Sequence, residues 1–216
     1  NGATELASIA AFSSVSNQLL ALGAPALFIE HAHRDALDEI RHARVCYEIA
    51  SAFASSPTTP NGAGPLPAAV WPLDRKTTPA NVAEECLIES CVLEGASARA
   101  AAMLAQRAEA EAIRSVLASI AVDEARHAEH GWETLEWLWP QLNAAERQTL
   151  TDALVQMKAR QFAGVVDGCE LERYGLAGTA TWQGAVYDAI DEAHERLERL
   201  DVPLAAILSQ SNAQPK

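Results

Sequence analysis

Asp38-Glu39-Ile40-Arg41-His42 and Asp123-Glu124-Ala125-Arg126-His127 agree at four of their five positions. Each sets a carboxylate and an imidazole three residues apart, a spacing that turns both side chains to one helix face within about one turn. An isolated Glu-x-x-His is commonplace on solvated helices. Surface salt-bridge patterning, however, gives no reason for four positions to recur together, the same Asp and the same Arg among them. The repeat predicts two facing helices, each offering Glu and His to a common metal centre.

Outward from these stretches the sequence reads as helix throughout. Leu6, Ile9, Phe12, Leu19 and Leu20 recur at helical spacing from Thr4 to Leu22, and Gly23-Ala24-Pro25 ends that run. A second helix, from Pro25 to Ala54, carries the first motif. Ser55 to Thr78 holds seven prolines and glycines, a density that predicts a long crossover loop. Thr78 and Pro79 fit the cap and first turn of a third helix running to Arg107. A fourth, from Glu111 to Trp139, carries the second motif and stops at Pro140. Asn143 and Glu146 match a capping box for a fifth, to Ala163. After a loop from Gly164 to Gly178, a last helix is expected from Thr181 to Ser209, kinked or split at Pro203. No stretch reads as a strand. The fold class is therefore all-α, a single domain over 1–216 with four core helices within 3–140 and two C-terminal helices within 143–210.

Aligning the two motifs superimposes one helix hairpin on the other. Glu5 lies 34 residues before Glu39, and Glu89 lies 35 before Glu124. A hairpin with a short turn brings the chain back to about the same level over that length, so Glu5 and Glu89 are the expected further ligands. Glu94 competes with Glu89, five residues on and about 140° round a regular helix. His130, one turn past His127, is an optional extra ligand. His31, His33 and His194 are expected to face solvent, and Trp132, Trp137 and Trp139 to belong to the core or an interface. Four Glu and two His suit two iron ions, or a manganese and iron pair. Without metal, four packed carboxylates should repel one another and rise in pKa, which predicts strong stabilisation by metal.

The bulk numbers restrict partners. A formal net charge of −13 and a pI of about 4.8 disfavour nucleic acid and anionic membranes. No run of apolar residues is long enough to span a bilayer. Cys46, Cys86, Cys91 and Cys169 form no Cys-x-x-Cys and read as thiols of a reducing, cytoplasmic compartment. The first residue is Asn1, which predicts a segment upstream and leaves export open.

The order Glu5, Glu39-x-x-His42, Glu89, Glu124-x-x-His127 resembles the ferritin-like di-iron carboxylate superfamily. The form Asp-Glu-x-Arg-His, present twice, is similar to the hydroxylase subunits of bacterial multicomponent monooxygenases and in part to the ribonucleotide reductase small subunit. In length, and around Glu5 and Glu89, the chain is most similar to small bacterial ferritin-like domain proteins. The resemblance implies a ferritin-like four-helix bundle binding two metal ions. It gives Asp38 and Asp123 the part of accepting a hydrogen bond from the ligand His of the opposite helix, with Arg41 and Arg126 beside them. Cys46 stands where methane monooxygenase has a cysteine and the reductase its radical tyrosine. The monooxygenases place a threonine one turn after the third-helix Glu, where this chain has Leu93.

The function implied is a dinuclear oxidoreductase activating dioxygen or peroxide and oxygenating a small organic substrate, supplied by a separate electron-donor protein, with a homodimer as one candidate assembly. The alternatives are an iron- or peroxide-handling protein without organic substrate, and a bundle whose metal is structural. An apolar pocket beside the metals would favour the enzyme.

Overall fold

The computed structural model describes residues 2–53, 76–164 and 166–201, and within them the chain is helical, with no strand. Val166 and Gly178 form an isolated bridge. Helix α1 spans Gly2–Leu22 and α2 Ala26–Phe53. Gly23 turns the chain between them at φ 70°, while the Ala24 and Gly23 N–H groups donate to the carbonyls of Leu19 and Leu20. That pattern closes a helix through a left-handed residue, and glycine adopts it without steric cost.

The third expected helix is one rod with an irregular middle. Helix α3 covers Pro79–Glu85, a π-helical stretch covers Cys86–Leu93, and α4 covers Glu94–Arg107. Thr78 caps its start by accepting the Asn81 N–H at 3.2 Å. Helix α5 spans Glu111–Leu138 and passes through a short 3₁₀ turn, Trp139–Gln141, to α6, Ala144–Lys158. The Asn143 and Glu146 capping box is formed.

The C-terminal boundaries differ from expectation. Helix α6 stops at Lys158 rather than Ala163, because the Arg160 carbonyl accepts from Gln183 and Tyr187 and the Phe162 N–H donates to Gln183. These bonds draw the chain onto α7, which spans Thr179–Leu200. Pro203 and the expected helix end at Ser209 lie outside the described residues, as does the crossover loop apart from residues 76–78.

The largest apolar core joins the α3 to α4 rod, α5, α6 and α7 around Leu87, Val92, Leu135, Leu138, Leu150 and Val186. A smaller one, Val15, Leu19 and Ala32, holds α1 on α2. Trp132 and Trp139 are buried and Trp137 packs on Phe28, as the sequence suggested. Helices α2 and α5 run antiparallel, with Asp35 opposite His130, Asp38 opposite Arg126 and Arg41 opposite Asp123. Their facing surfaces carry the two motifs to the same level. No helix among the described residues is long and apolar enough to cross a membrane.

Candidate metal centre

Glu39 and His42 on α2 and Glu124 and His127 on α5 are almost wholly buried, at 3% exposure or less. They meet between the helices. His127 Nδ1 lies 3.1 Å from Glu124, 3.2 Å from Glu39 and 3.8 Å from Glu94. His42 Nδ1 lies 3.5 Å from both Glu39 and Glu124. The donor atoms fall into two groups, Glu5 with Glu39, His42 and Glu124, and Glu94 with Glu39, Glu124 and His127, each within 4.8 Å. Glu39 and Glu124 belong to both. One imidazole, one terminal carboxylate and two shared carboxylates form the donor set on each side.

Glu94, not Glu89, completes the set. The hairpin count favoured Glu89 on the premise of a regular helix, and the π-helical stretch removes that premise. Its wider turn, marked by the Glu94 N–H donating to the Glu89 carbonyl five residues back, rotates Glu94 into the cluster. Glu89 is turned toward Glu85, and burial followed by that neighbour's charge raises its pKa. The register is supported from α5 by Gly131. A Cβ there would sit 2.6 Å from Ser90 Cβ and 3.2 Å from the Cys91 nitrogen, so glycine is what lets the helices approach. The Cys86 thiol donates to the Gly131 carbonyl at 3.1 Å.

Behind the imidazoles the aspartates cross over. His42 Nε2 is 3.2 Å from Asp123 and His127 Nε2 is 3.4 Å from Asp38. Arg41 donates to Asp38 and Asp123 at 2.6 Å each, and Arg126 pairs with both aspartates. Burial opposes ionisation of Asp38 and Asp123, but hydrogen bonds from the arginines and imidazoles outweigh it and hold both pKa values low. Ionised aspartates take the Nε2–H and turn each Nδ1 toward the carboxylates.

The pKa rise expected of packed carboxylates is found within the cluster for Glu5 and Glu94. Burial, then Glu39 and Glu124, pushes Glu5 up to about 8, and burial and Glu124 raise Glu94. Glu124 goes the other way, since hydrogen bonds from His127 and His42 overcome its burial. Burial disfavours the charged imidazoles, yet Glu124 and Glu39 lift His42 to about 10 and raise His127 as well. Without metal, protonated imidazoles supply the positive charge. Glu39 Oε1 and His42 Nδ1 are nonetheless buried with no hydrogen-bond partner, as expected of atoms whose partner is a cation.

His130 does not join the cluster. Its Nδ1 is 3.0 Å from Asp35, and its ring stacks on His31 at 3.7 Å. His31 is thus buried rather than solvent-facing, whereas His33 and His194 are exposed or half-buried. Asp35, 1% exposed and 3.6 Å from His127 Nε2, went unnoticed in the sequence, though its place one turn before Asp38 on the motif face was the available signal. Cys46, with its thiol pushed up to about 12 chiefly by burial, borders a cavity of about 320 Å³ that opens beside Glu5, Glu94 and Glu124. Leu93 packs against the core, but Ser97, one turn after Glu94, lines that cavity. Comparison of the chain with protein-family models, curated proteins and solved structures gives no match.

Proposed function

We propose that the chain is a ferritin-like dinuclear metalloprotein, in which the two helix hairpins form the four-helix bundle and the buried cluster holds two iron ions, or manganese with iron, to oxidise a small organic molecule. The observation that carries this reading is the sharing of Glu39 and Glu124 between two donor groups, each completed by one His and one further Glu. Two shared carboxylates are what keeps a pair of cations at a common oxygen-rich centre. Iron bound there supplies the redox equivalents by which dioxygen or peroxide is reduced.

The chain's own residues do the rest. Asp38 and Asp123 fix the imidazole tautomers, and the arginines fix the aspartates. Glu5 and His42, protonated at neutral pH without metal, release their protons as cations enter. Oxygenation by dioxygen places one oxygen atom in the substrate and releases the other as water, so it needs two electrons from a separate donor protein and two protons from solvent. The cavity beside Glu5, Glu94 and Glu124 favours this over iron or peroxide handling, for which an organic-sized space has no use.

The test is to load the protein with ferrous iron and mix it rapidly with dioxygen and, separately, with hydrogen peroxide, following iron oxidation by absorbance. Faster oxidation by dioxygen is the expected result. A preference for peroxide supports the scavenger reading, and iron that stays ferrous for minutes with both oxidants leaves a structural metal.

A further inference from the structure

We infer that the substrate is an uncharged, mainly apolar molecule about the size of two fused rings, and that α4 and the segment leading into α7 set that size. The inference rests on the metal-centre reading and adds the class of molecule that meets it.

The cavity has a carboxylate end, Glu5, Glu94 and Glu124, and an apolar body formed by Ala100, Ala101, Leu104, Leu117, Ile120 and Trp182. Among the described residues its lining holds no Lys, Arg or His. Once the carboxylates have balanced the bound metal ions, a permanently anionic ligand finds no further cation on the described wall to meet it, and a buried unpaired charge is strongly disfavoured. A cation fares no better once bound metal has balanced the carboxylates. The hydroxyls of Thr4, Ser8 and Ser97 remain to receive one neutral polar group. The volume of about 320 Å³ is roughly twice the ~150 Å³ of an apolar cavity that accepts benzene, which suits a body of about ten carbon atoms.

The far wall is built to keep its dimensions. Ala163, Gly164, Ala177 and Trp182 close it from the C-terminal segment. Glu172, 5% exposed, ties that segment down by accepting from Arg107 at 2.6 Å, Thr181 at 2.6 Å and the Gly178 N–H at 3.2 Å. The C-terminal region thereby forms part of the cavity wall, Trp182 included.

The experiment is calorimetric titration of the ferrous protein, under anaerobic conditions, with 2-naphthol and with 2-naphthalenesulfonate, which has the same rings, a permanent charge and little affinity for iron. The neutral probe should bind at least tenfold more tightly. Ala101→Leu, which fills the cavity, should weaken 2-naphthol at least tenfold and leave phenol bound, and Leu104→Ala should instead admit a three-ring phenol that the parent refuses. Equal affinity for the two naphthalene probes, or 2-naphthol binding unchanged in both variants, overturns the inference. Iron content measured on the same samples separates the two claims. Protein that takes up no iron but still selects 2-naphthol refutes the metal centre alone, and protein that loads iron but does not select it refutes the substrate class alone.

Discussion

The two helix hairpins carry the same five-residue motif and hold it by different means. Helix α5 is embedded, with Leu135 and Leu138 fully buried in a core shared with the α3 to α4 rod, α6 and α7. Helix α2 leaves Leu37 65% and Ile40 42% exposed, and the apolar core it shares with α1 is Val15, Leu19 and Ala32. At about 1.5 to 3 kcal/mol for each buried Val or Leu, that small core holds α1 to α2 but adds little to hold the pair to the rest. Apart from Phe28 against Trp137 and Ile49 against the Leu104, Ile113 and Leu117 cluster, the tie across to α5 is polar, made of the crossed aspartates, the arginines and the buried Glu and His cluster. In this molecule the buried cluster is therefore a fastener between the two hairpins.

The largest expected effect breaks that fastener. Glu39→Ala or Glu124→Ala removes a ligand from both donor groups, whereas Glu5→Ala or Glu94→Ala removes one from a single group. Elemental analysis should find bound metal close to zero in the first pair and about half of the parent's in the second. Equal losses in all four variants would mean that the carboxylates are not shared.

Metal removal should then act unevenly. Ligand at a thousandfold over its Kd stabilises a native state by about 4 kcal/mol, and here most of that should appear in α1 and α2. Amide exchange of the chelated protein is expected to quicken first in Gly2–Leu22 and Ala26–Phe53, with Glu111–Leu138 protected. The effect carries a pH sign. His42 has a folded pKa of about 10 against an ordinary 6.5, so its contribution without metal is complete below about pH 6.5 and is lost as pH rises through 10. Chelated protein should loosen progressively over that range. Uniform exchange in both hairpins, or no pH dependence, would show that the apolar cores rather than the cluster join them.

A third effect separates close packing from helix propensity. Gly131→Ala forces a Cβ to within 2.6 Å of Ser90, while Gly184 on α7 has nothing within 4 Å of where its Cβ would lie. Overpacking should cost Gly131→Ala about 1 to 3 kcal/mol, and Gly184→Ala should gain about 0.5 to 1 kcal/mol. Chemical denaturation of the two variants measures both. A harmless Gly131→Ala would show that the rod and α5 have room to spare.

Helix number, most helix ends and the pairing of the two motifs were legible because they rest on local signals: period, Pro and Gly punctuation, caps and a repeat of four letters in five. The C-terminal end of α6 was not, since Gln183 and Tyr187 of α7 act on it across the fold. Five of the six residues of the donor set could be read from spacing, and the sixth could not. A π-helical turn is a register change that neither Glu89 nor Glu94 announces, and Gly131, which lets it pack closely, sits on the neighbouring helix. His31 was misjudged for a similar reason. Its burial comes from stacking on His130, a partner 99 residues away.

The smallest effect tests that register directly. Glu89 is held half-buried beside Glu85, and its raised pKa means that folding favours the protonated form. Below its ordinary value of 4.5 the carboxyl is neutral in both folded and unfolded chains, so Glu89→Gln should match the parent there. As pH rises from 4.5 through the raised value, the parent ionises a carboxylate that burial and Glu85 both disfavour, and the Gln variant should become the more stable of the two. Melting temperatures measured from pH 4 to 8 should diverge in that direction, with metal content the same in both proteins. Glu94→Gln should do the reverse, losing about half the metal. If Glu89→Gln sheds metal and Glu94→Gln loads normally, the third helix presents its ligand in the regular register after all, and the π-helical turn has no part in building the site.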